Sequence, residues 1–358
     1  VKRVDNFNAG PAALPLEVLE EVREELIDFR GTGMSVMEMS HRSKEYEAVH
    51  NEAQARLRRL LGIPDDYRVL FLQGGASLQF AMIPMNFLGD GRRALYVLTG
   101  AWSEKARDEA VRFGEVVVND WATAGGYRDI PDRIPEDDGA FAYVHITSNN
   151  TIFGTQWPQF PKTLSPLVAD MSSDILSRPI EVTDFALIYA GAQKNLGPSG
   201  VTVVIAKDEF LAGENANLPT MLRYSTHVKS NSLYNTPPTF AIYIMDRVLA
   251  WVERLGGLAA VAERNRKKAA LVYEAIDRHP QVYLGHAEKR ARSQMNVTFR
   301  LASEELERAF LSEAAERGFV GLKGHRSVGG CRASLYNAVP VEAAERLAQF
   351  MDDFARRH

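Results

Sequence analysis

The sequence predicts an α/β protein: a large domain on a mostly parallel sheet, then a smaller α+β domain. Three observations predict it. Short apolar runs with little polar alternation recur between amphipathic helical stretches, as in strands buried on both faces of a sheet. Gly256-Gly257 breaks that pattern, and strands and helices then follow in a different order. With 358 residues the chain is long for one ordinary core and short for three. The expected division is 16–255 for the large domain and 256–358 for the small one, joined by the N-terminal segment 1–15.

The elements follow in order. Leu16 to Arg30 sets Leu19, Val22, Leu26 and Ile27 on one helical face, and Glu45 to Leu61 repeats the pattern with Tyr46, Val49, Ala53 and Leu57. Val69–Leu72 reads as a strand, then Gly74-Gly75 and a helix from about Ser77. Leu95–Leu98 is the next strand, and Trp102 to Phe113 the next helix. Val116–Val118, Phe141–Ile146, Leu167–Ala169, Ala186–Tyr189 and Val201–Ile205 continue the strand series. Past Gly257 come a long charged helix through Arg278, a strand over 294–301, a helix over 303–317, a strand over 332–336 and a helix over 341–357.

Composition narrows the function. Hydrophobic residues at 46% and charged residues at 25% are ordinary for a soluble globular chain. A net charge of -4 offers no electrostatic reason for nucleic acid or an acidic membrane as partner. Val1 to Pro15 lacks the apolar core of a secretory signal, and no apolar run is long enough to span a bilayer. Cys331 is the only cysteine, which excludes an intrachain disulfide and fits a reducing compartment. The plain expectation is a cytoplasmic α/β enzyme or binding protein, without a metal site.

The chemistry concentrates where strands end. Tyr189-Ala190-Gly191-Ala192-Gln193-Lys194-Asn195-Leu196-Gly197 carries one lysine in a turn of small residues. Glycines let the backbone approach a flat ligand, and partial desolvation lowers a lysine pKa as imine chemistry requires. Leu167-Val168-Ala169-Asp170 ends another strand with a carboxylate, and open α/β sheets bind ligands beyond such ends. A pyridoxal ring needs a carboxylate at its ring nitrogen and a lysine at its aldehyde. Gln73-Gly74-Gly75-Ala76-Ser77 opens a helix whose N–H groups suit a phosphate. Trp102, after Thr99-Gly100-Ala101, is an indole able to stack on a ring. Singly each has a plain structural reading: a surface lysine, a helix cap at Asp170, a tight turn, a packed tryptophan. Together they describe a site for pyridoxal 5'-phosphate.

Longer strings carry a resemblance. Phe7-Asn8-Ala9-Gly10-Pro11-Ala12, Met37-Glu38-Met39-Ser40-His41-Arg42 and Ser177-Arg178-Pro179-Ile180 belong to it. So do Gln193-Lys194-Asn195, Asn235-Thr236-Pro237-Pro238-Thr239, Lys323-Gly324-His325-Arg326 and Arg332-Ala333-Ser334 with Tyr336-Asn337-Ala338. The chain closely resembles the phosphoserine aminotransferases, fold-type I pyridoxal phosphate enzymes of the class V aminotransferase family, over essentially its whole length. The resemblance implies a mixed, mostly parallel seven-stranded sheet and a homodimer that shares its active sites. It implies that Lys194 bonds the cofactor, Asp170 pairs with the ring nitrogen, Trp102 stacks on the ring and Thr151 bonds the ring oxygen. Ala76, Ser77 and Gln193 would meet the phosphate, with Asn235 and Thr236 from the partner subunit. Arg332 would hold the α-carboxylate, and His325 and Arg326, with His41 and Arg42 of the other subunit, the distal anion.

The implied reaction is reversible transamination of 3-phosphohydroxypyruvate by glutamate in serine biosynthesis, with a related phosphorylated keto acid of pyridoxine biosynthesis as a further acceptor. Ala9 and Ser77 depart from members that have serine and arginine there, which removes one positive charge near the distal anion. The nearest rivals are an alanine–glyoxylate aminotransferase and a cysteine desulfurase. The first has less need of so many cations, and the second needs a reactive cysteine on a mobile loop, whereas Cys331 precedes an apparent strand. A nucleotide-binding protein lacks its glycine spacing here and leaves Lys194 and Asp170 unused.

Overall fold

The fold is described from a computed structural model covering residues 1–89 and 91–358. Helix α1 (Leu16–Glu25) and α2 (Lys44–Leu61) precede β1 (Tyr67–Leu72), α3 (Gly75–Phe87), β2 (Arg93–Val97), α4 (Ala101–Ala110) and β3 (Glu115–Asn119). Then come β4 (Val144–Thr147), β5 (Leu167–Asp170), β6 (Leu187–Gly191) and β7 (Thr202–Lys207), and α5 (Thr239–Arg254). The remainder holds α6 (Leu258–Arg278), β8 (Tyr283–Gly285), β9 (Asn296–Leu301), α7 (Glu304–Glu316), β10 (Cys331–Ser334) and α8 (Val341–Arg357).

The seven strands of the main sheet lie in the order β1-β7-β6-β5-β4-β2-β3. Only β7 runs against its neighbours, pairing antiparallel with both β1 and β6. The strand series expected from the sequence is therefore present as a mostly parallel, mixed sheet. Alternation does the work of covering both faces. Phe71, Val97, Ile146, Ala169, Ile188 and Val203 point into a core closed by α2 and α5. Leu70, Tyr96, Val168, Leu187, Tyr189 and Val204 point into the opposite core under α3 and α4.

A three-stranded antiparallel sheet, β8-β9-β10, packs with α7 and α8 around a third core in which Phe299, Phe310, Phe350 and Phe354 are buried. Phe7 belongs to this core, because Asp5–Asn6 pairs in parallel with Phe319–Val320. The first residues are thus tied to the last third of the chain.

The first helix corrects an expectation. It ends at Glu25 rather than Arg30, and Leu26 and Ile27 are exposed instead of sharing its buried face. The chain turns there: Asp28 accepts the Gly33 N–H at 2.7 Å, and Arg30 takes a φ of 51°. That turn buries Phe29 in place of Ile27. The helix from Trp102 stops at Ala110 rather than Phe113, and the strand expected over Phe141–Ile146 starts at Val144.

Candidate active site

Six parallel strands end at one edge of the sheet, and candidate groups follow five of those ends. Beyond β1, Gly74 takes φ +95°, which lets α3 start at once. A Cβ on Gly74 would lie 2.6 Å from Leu78 Cβ, so the turn admits only glycine. No acidic side chain occupies the first turn of α3, and its leading N–H groups, with Ala76 and the exposed Ser77, are free to meet an anion. Beyond β2, Gly100 leads into α4 and Trp102. Beyond β4 comes Thr151, whose Oγ1 accepts the Trp102 Nε1–H at 3.1 Å. That bond orients the indole and leaves the threonine O–H free to donate.

Asp170 ends β5, and Lys194 follows β6, its neighbour in the sheet. Asp170 is 5% exposed. Its Oδ1 accepts the Ser172 N–H at 2.9 Å in a turn, so no helix is capped there. Burial pushes the Asp170 carboxyl above its usual value, opposed by hydrogen bonds from Ser172 and by the Lys194 charge. Burial pushes the Lys194 amine below its usual value; Asp170 opposes this and the Arg332 charge adds to it. Gly10 packs on the same side chain. A Cβ there would lie 3.1 Å from Lys194 Cε, so the residue at 10 must be small. Among the described residues the Lys194 amine has no hydrogen-bond partner.

Arg332 reaches this edge from β10. Its Nη1 donates to Thr151 O at 3.0 Å, and its buried Nε has no partner. An oriented guanidinium with an idle, desolvated N–H is a receptor for a carboxylate. His325 lies close enough for its proton affinity to feel Arg332, Arg326 and Lys105; burial and those three charges lower its pKa. The Ser327 N–H donates to His325 Nδ1 at 3.2 Å, so the neutral ring carries its proton on Nε2 and offers it as a donor.

Lys105 is a group the sequence reading missed. It stands one helical turn after Trp102, with Nζ 4.5 Å from the centroid of the indole. The i, i+3 spacing from a candidate stacking residue was the available signal. The remaining candidates gather separately. Arg42 Nη2 donates to Leu233 O at 3.3 Å, and Asn235 Nδ2 to Gln73 Oε1 at 2.8 Å. His41, Arg42, Asn235 and Thr236 thus form a second patch beside the turn that opens α3, with Arg42 and Thr236 exposed and His41 and Asn235 half-buried. Gln193 folds back over Gly191, where a Cβ would come within 2.7 Å of its Oε1. An open cleft of about 510 Å³ beside Phe87 and Leu164 contains none of these groups. Among the described residues no cluster suited to a metal ion occurs, and no helix is long and apolar enough to cross a membrane.

Comparison with known proteins places the whole chain in one family. The Aminotransferase class-V family matches residues 4–347. The phosphoserine aminotransferase of Geobacillus kaustophilus is 65% identical over 361 residues, covering 100% of this chain and 99% of the relative. A solved phosphoserine aminotransferase from Bacillus circulans subsp. alkalophilus superposes with a TM-score of 0.96 at 58% identity, covering 100% of this chain and 99% of that one. A PLP-bound phosphoserine aminotransferase from Trichomonas vaginalis superposes with a TM-score of 0.89 at 41% identity, over 98% and 99% of the two chains. With the match running almost from end to end and the lysine and carboxylate on adjacent strand ends, the chain belongs to the class-V aminotransferase family, whose transamination depends on pyridoxal phosphate.

Proposed function

We propose that the chain acts as a phosphoserine aminotransferase, exchanging the amino group between L-glutamate and 3-phosphohydroxypyruvate to give 2-oxoglutarate and O-phospho-L-serine. The observation that carries this is the pairing of Lys194 and Asp170 at one sheet edge with Arg332 beside them and His325, Arg326 and Lys105 near it. Substrates with a carboxylate at one end and a second anion at the other need two separated cationic receptors. The reading extends to serine biosynthesis in the cytoplasm, with 3-hydroxy-4-phosphohydroxy-2-oxobutanoate as a second acceptor.

The residues fit pyridoxal phosphate. Lys194 has an unbonded amine, Asp170 a buried carboxylate with one oxygen unengaged, α3 a free N-terminus, and Thr151 an O–H to spare. When bound, the cofactor supplies an aldehyde for amines and a ring that withdraws electrons from the substrate Cα. Lys194 would hold the cofactor aldehyde, and its amine is placed to take the proton from the substrate Cα and to give it back. Burial, which lowers its pKa, favours the neutral amine that such a proton exchange requires. Asp170 would keep the ring nitrogen protonated, and Trp102, oriented by Thr151, would shield the ring from water. Ala76, Ser77 and Gln193 would hold the phosphate. Arg332 holds the α-carboxylate, while His325 and Arg326 receive the distal anion.

His41, Arg42, Asn235 and Thr236 complete the site of a second copy in a homodimer. Support comes from their grouping on one partly exposed patch, tied together by Arg42 and Leu233. The chain divides functionally at 255/256, a reading supported by the separate core around Phe310. Cys331 is fully buried, and burial pushes its thiol far up, which disfavours sulfur transfer.

The test compares acceptors. With glutamate as donor, kcat/KM for 3-phosphohydroxypyruvate is expected to exceed that for glyoxylate by about 100-fold or more, the worth of one charged receptor. Equal or reversed preference points to an alanine–glyoxylate enzyme. Lys194→Ala is expected to lose steady-state turnover and the visible absorbance of the covalently held cofactor.

A further inference from the structure

Lys194, Asp170 and Arg332 sit on three different segments, and one buried amide side chain touches all three. Asn195 is 3% exposed and directly follows Lys194. Its Nδ2 donates to Ile175 O at 2.9 Å, on the loop that continues from Asp170. Its Oδ1 accepts the Asn337 N–H at 3.0 Å, on the segment that continues from Arg332 and β10.

A second layer supports these contacts. Asn337 Nδ2 donates to Leu176 O at 2.9 Å, holding a residue whose φ of 62° a leucine rarely adopts. Asn265 Nδ2 donates to Asn337 Oδ1 at 2.9 Å and to Ser177 O at 3.0 Å. One turn along α6, Lys268 Nζ donates to Leu335 O at 3.1 Å and Tyr336 O at 2.7 Å. Asn265, Lys268 and Asn337 are each at most 2% exposed. Burying this many polar groups is unfavourable unless each finds a partner. Of these four side chains only the Asn265 Oδ1 lacks one. Apolar residues would fill the same space at lower cost, but they would fix neither direction nor register. Satisfied polar networks do both.

We infer that Asn195 is a positioning residue: through Ile175 and Asn337 it sets the separation of Lys194, Asp170 and Arg332, while Asn265 and Lys268 hold the far segment in place. This rests on the roles proposed above for those three residues. Turnover then depends on a side chain that touches neither substrate nor cofactor. Its loss loosens the α-carboxylate receptor relative to the lysine and leaves each group intact.

The experiment uses the holoenzyme with Asn195→Ala and Asn195→Asp. Asn195→Ala is expected to raise KM for glutamate about tenfold or more, the effect of misplacing one charged contact. It is also expected to shift the pH midpoint of the bound-cofactor absorbance and to speed hydrogen exchange at the Asn337 amide and across 193–198 together. Asn195→Asp keeps an acceptor for the Asn337 N–H but loses the donor to Ile175 O, so it is expected to recover only part of the KM effect. The inference is overturned if Asn195→Ala lowers the melting temperature while KM, kcat and the absorbance midpoint per folded site stay within about twofold of the parent. Should Asn195→Ala not fold, Lys268→Met serves, with the same shifts in smaller measure as support and their absence as refutation. A wrong lysine assignment shows itself separately, as Lys194→Ala that keeps its covalent absorbance.

Discussion

Lys194 and Lys268 are both desolvated, and their surroundings separate their uses. Lys268 spends its donors on two carbonyls, whereas Lys194 has none engaged and faces a carboxylate and a guanidinium. The Asp170 charge raises the Lys194 pKa against the lowering by burial. Asp170→Asn is therefore expected to move the Lys194 amine to a still lower pH midpoint in cofactor-free protein, read as the pH dependence of acylation at Lys194. In the holoenzyme the same change is expected to slow turnover by about 100-fold or more, since the ring nitrogen loses its counter-charge. At Arg332 the fork geometry matters beyond the charge. Arg332→Lys is expected to weaken glutamate by about 1.5–3 kcal/mol, seen in kcat/KM, because an ammonium cannot bond Thr151 O and a carboxylate in one plane.

At the scale of elements, the start of α3 depends on a conformation that L side chains rarely adopt. Gly74→Ala is expected to cost about 1–3 kcal/mol in thermal denaturation and to weaken cofactor uptake, because the strained φ and the Leu78 contact move the leading N–H groups. The end of α6 is held by a two-pronged ion pair in which Arg292 donates to both oxygens of Asp277 at 2.8 and 2.7 Å. The hydrogen bond from Arg292 holds the Asp277 carboxyl below its usual value. Its stabilisation is therefore present above the unfolded carboxylate pKa and lost as pH falls through the lower folded one. Asp277→Asn is expected to cost less than about 1 kcal/mol at neutral pH, given its exposure, and nothing in strong acid. Urea titrations at both pH values check the sign.

At the scale of the molecule, stability and catalysis draw on different cores. Phe310 is fully buried among Phe299, Tyr283, Phe350 and Phe354. Phe310→Ala is expected to cost about 3–5 kcal/mol. Under conditions where the variant stays folded, cofactor absorbance is expected to persist, because Lys194 and Asp170 hang from the other sheet. The proposed sharing of sites between copies has its own test. Lys194→Ala and Arg42→Ala, each defective alone at low substrate, are expected to regain activity when mixed and allowed to exchange subunits, since half-sites from different chains recombine. No recovery despite proven exchange would mean that each site is built from one chain.

Most of the element order was readable in the sequence because hydrophobic alternation is a local property. Val69–Leu72, Leu95–Leu98 and Leu167–Ala169 announce strands whatever lies next to them, and Asp170 and Lys194 could be assigned to strand ends by position alone. The turn at Asp28–Gly33 defeated the same logic, because Leu26 and Ile27 keep the helical period while the chain leaves the helix. Strand direction was also hidden. Nothing in Val201–Ile205 says that it runs backwards, since a period of two is the same in both senses, and only pairing with β1 and β6 decides it. Read alone, the sequence thus settled the strands and marked out the candidate residues at their ends. The tertiary structure alone decided that Lys105 lies over Trp102, that Arg332 reaches across to Thr151, and that Asn195 bonds the segments of Asp170 and Arg332 at once. Those contacts join segments far apart in the chain, and a side chain's reach toward them depends on backbone geometry that no local pattern encodes.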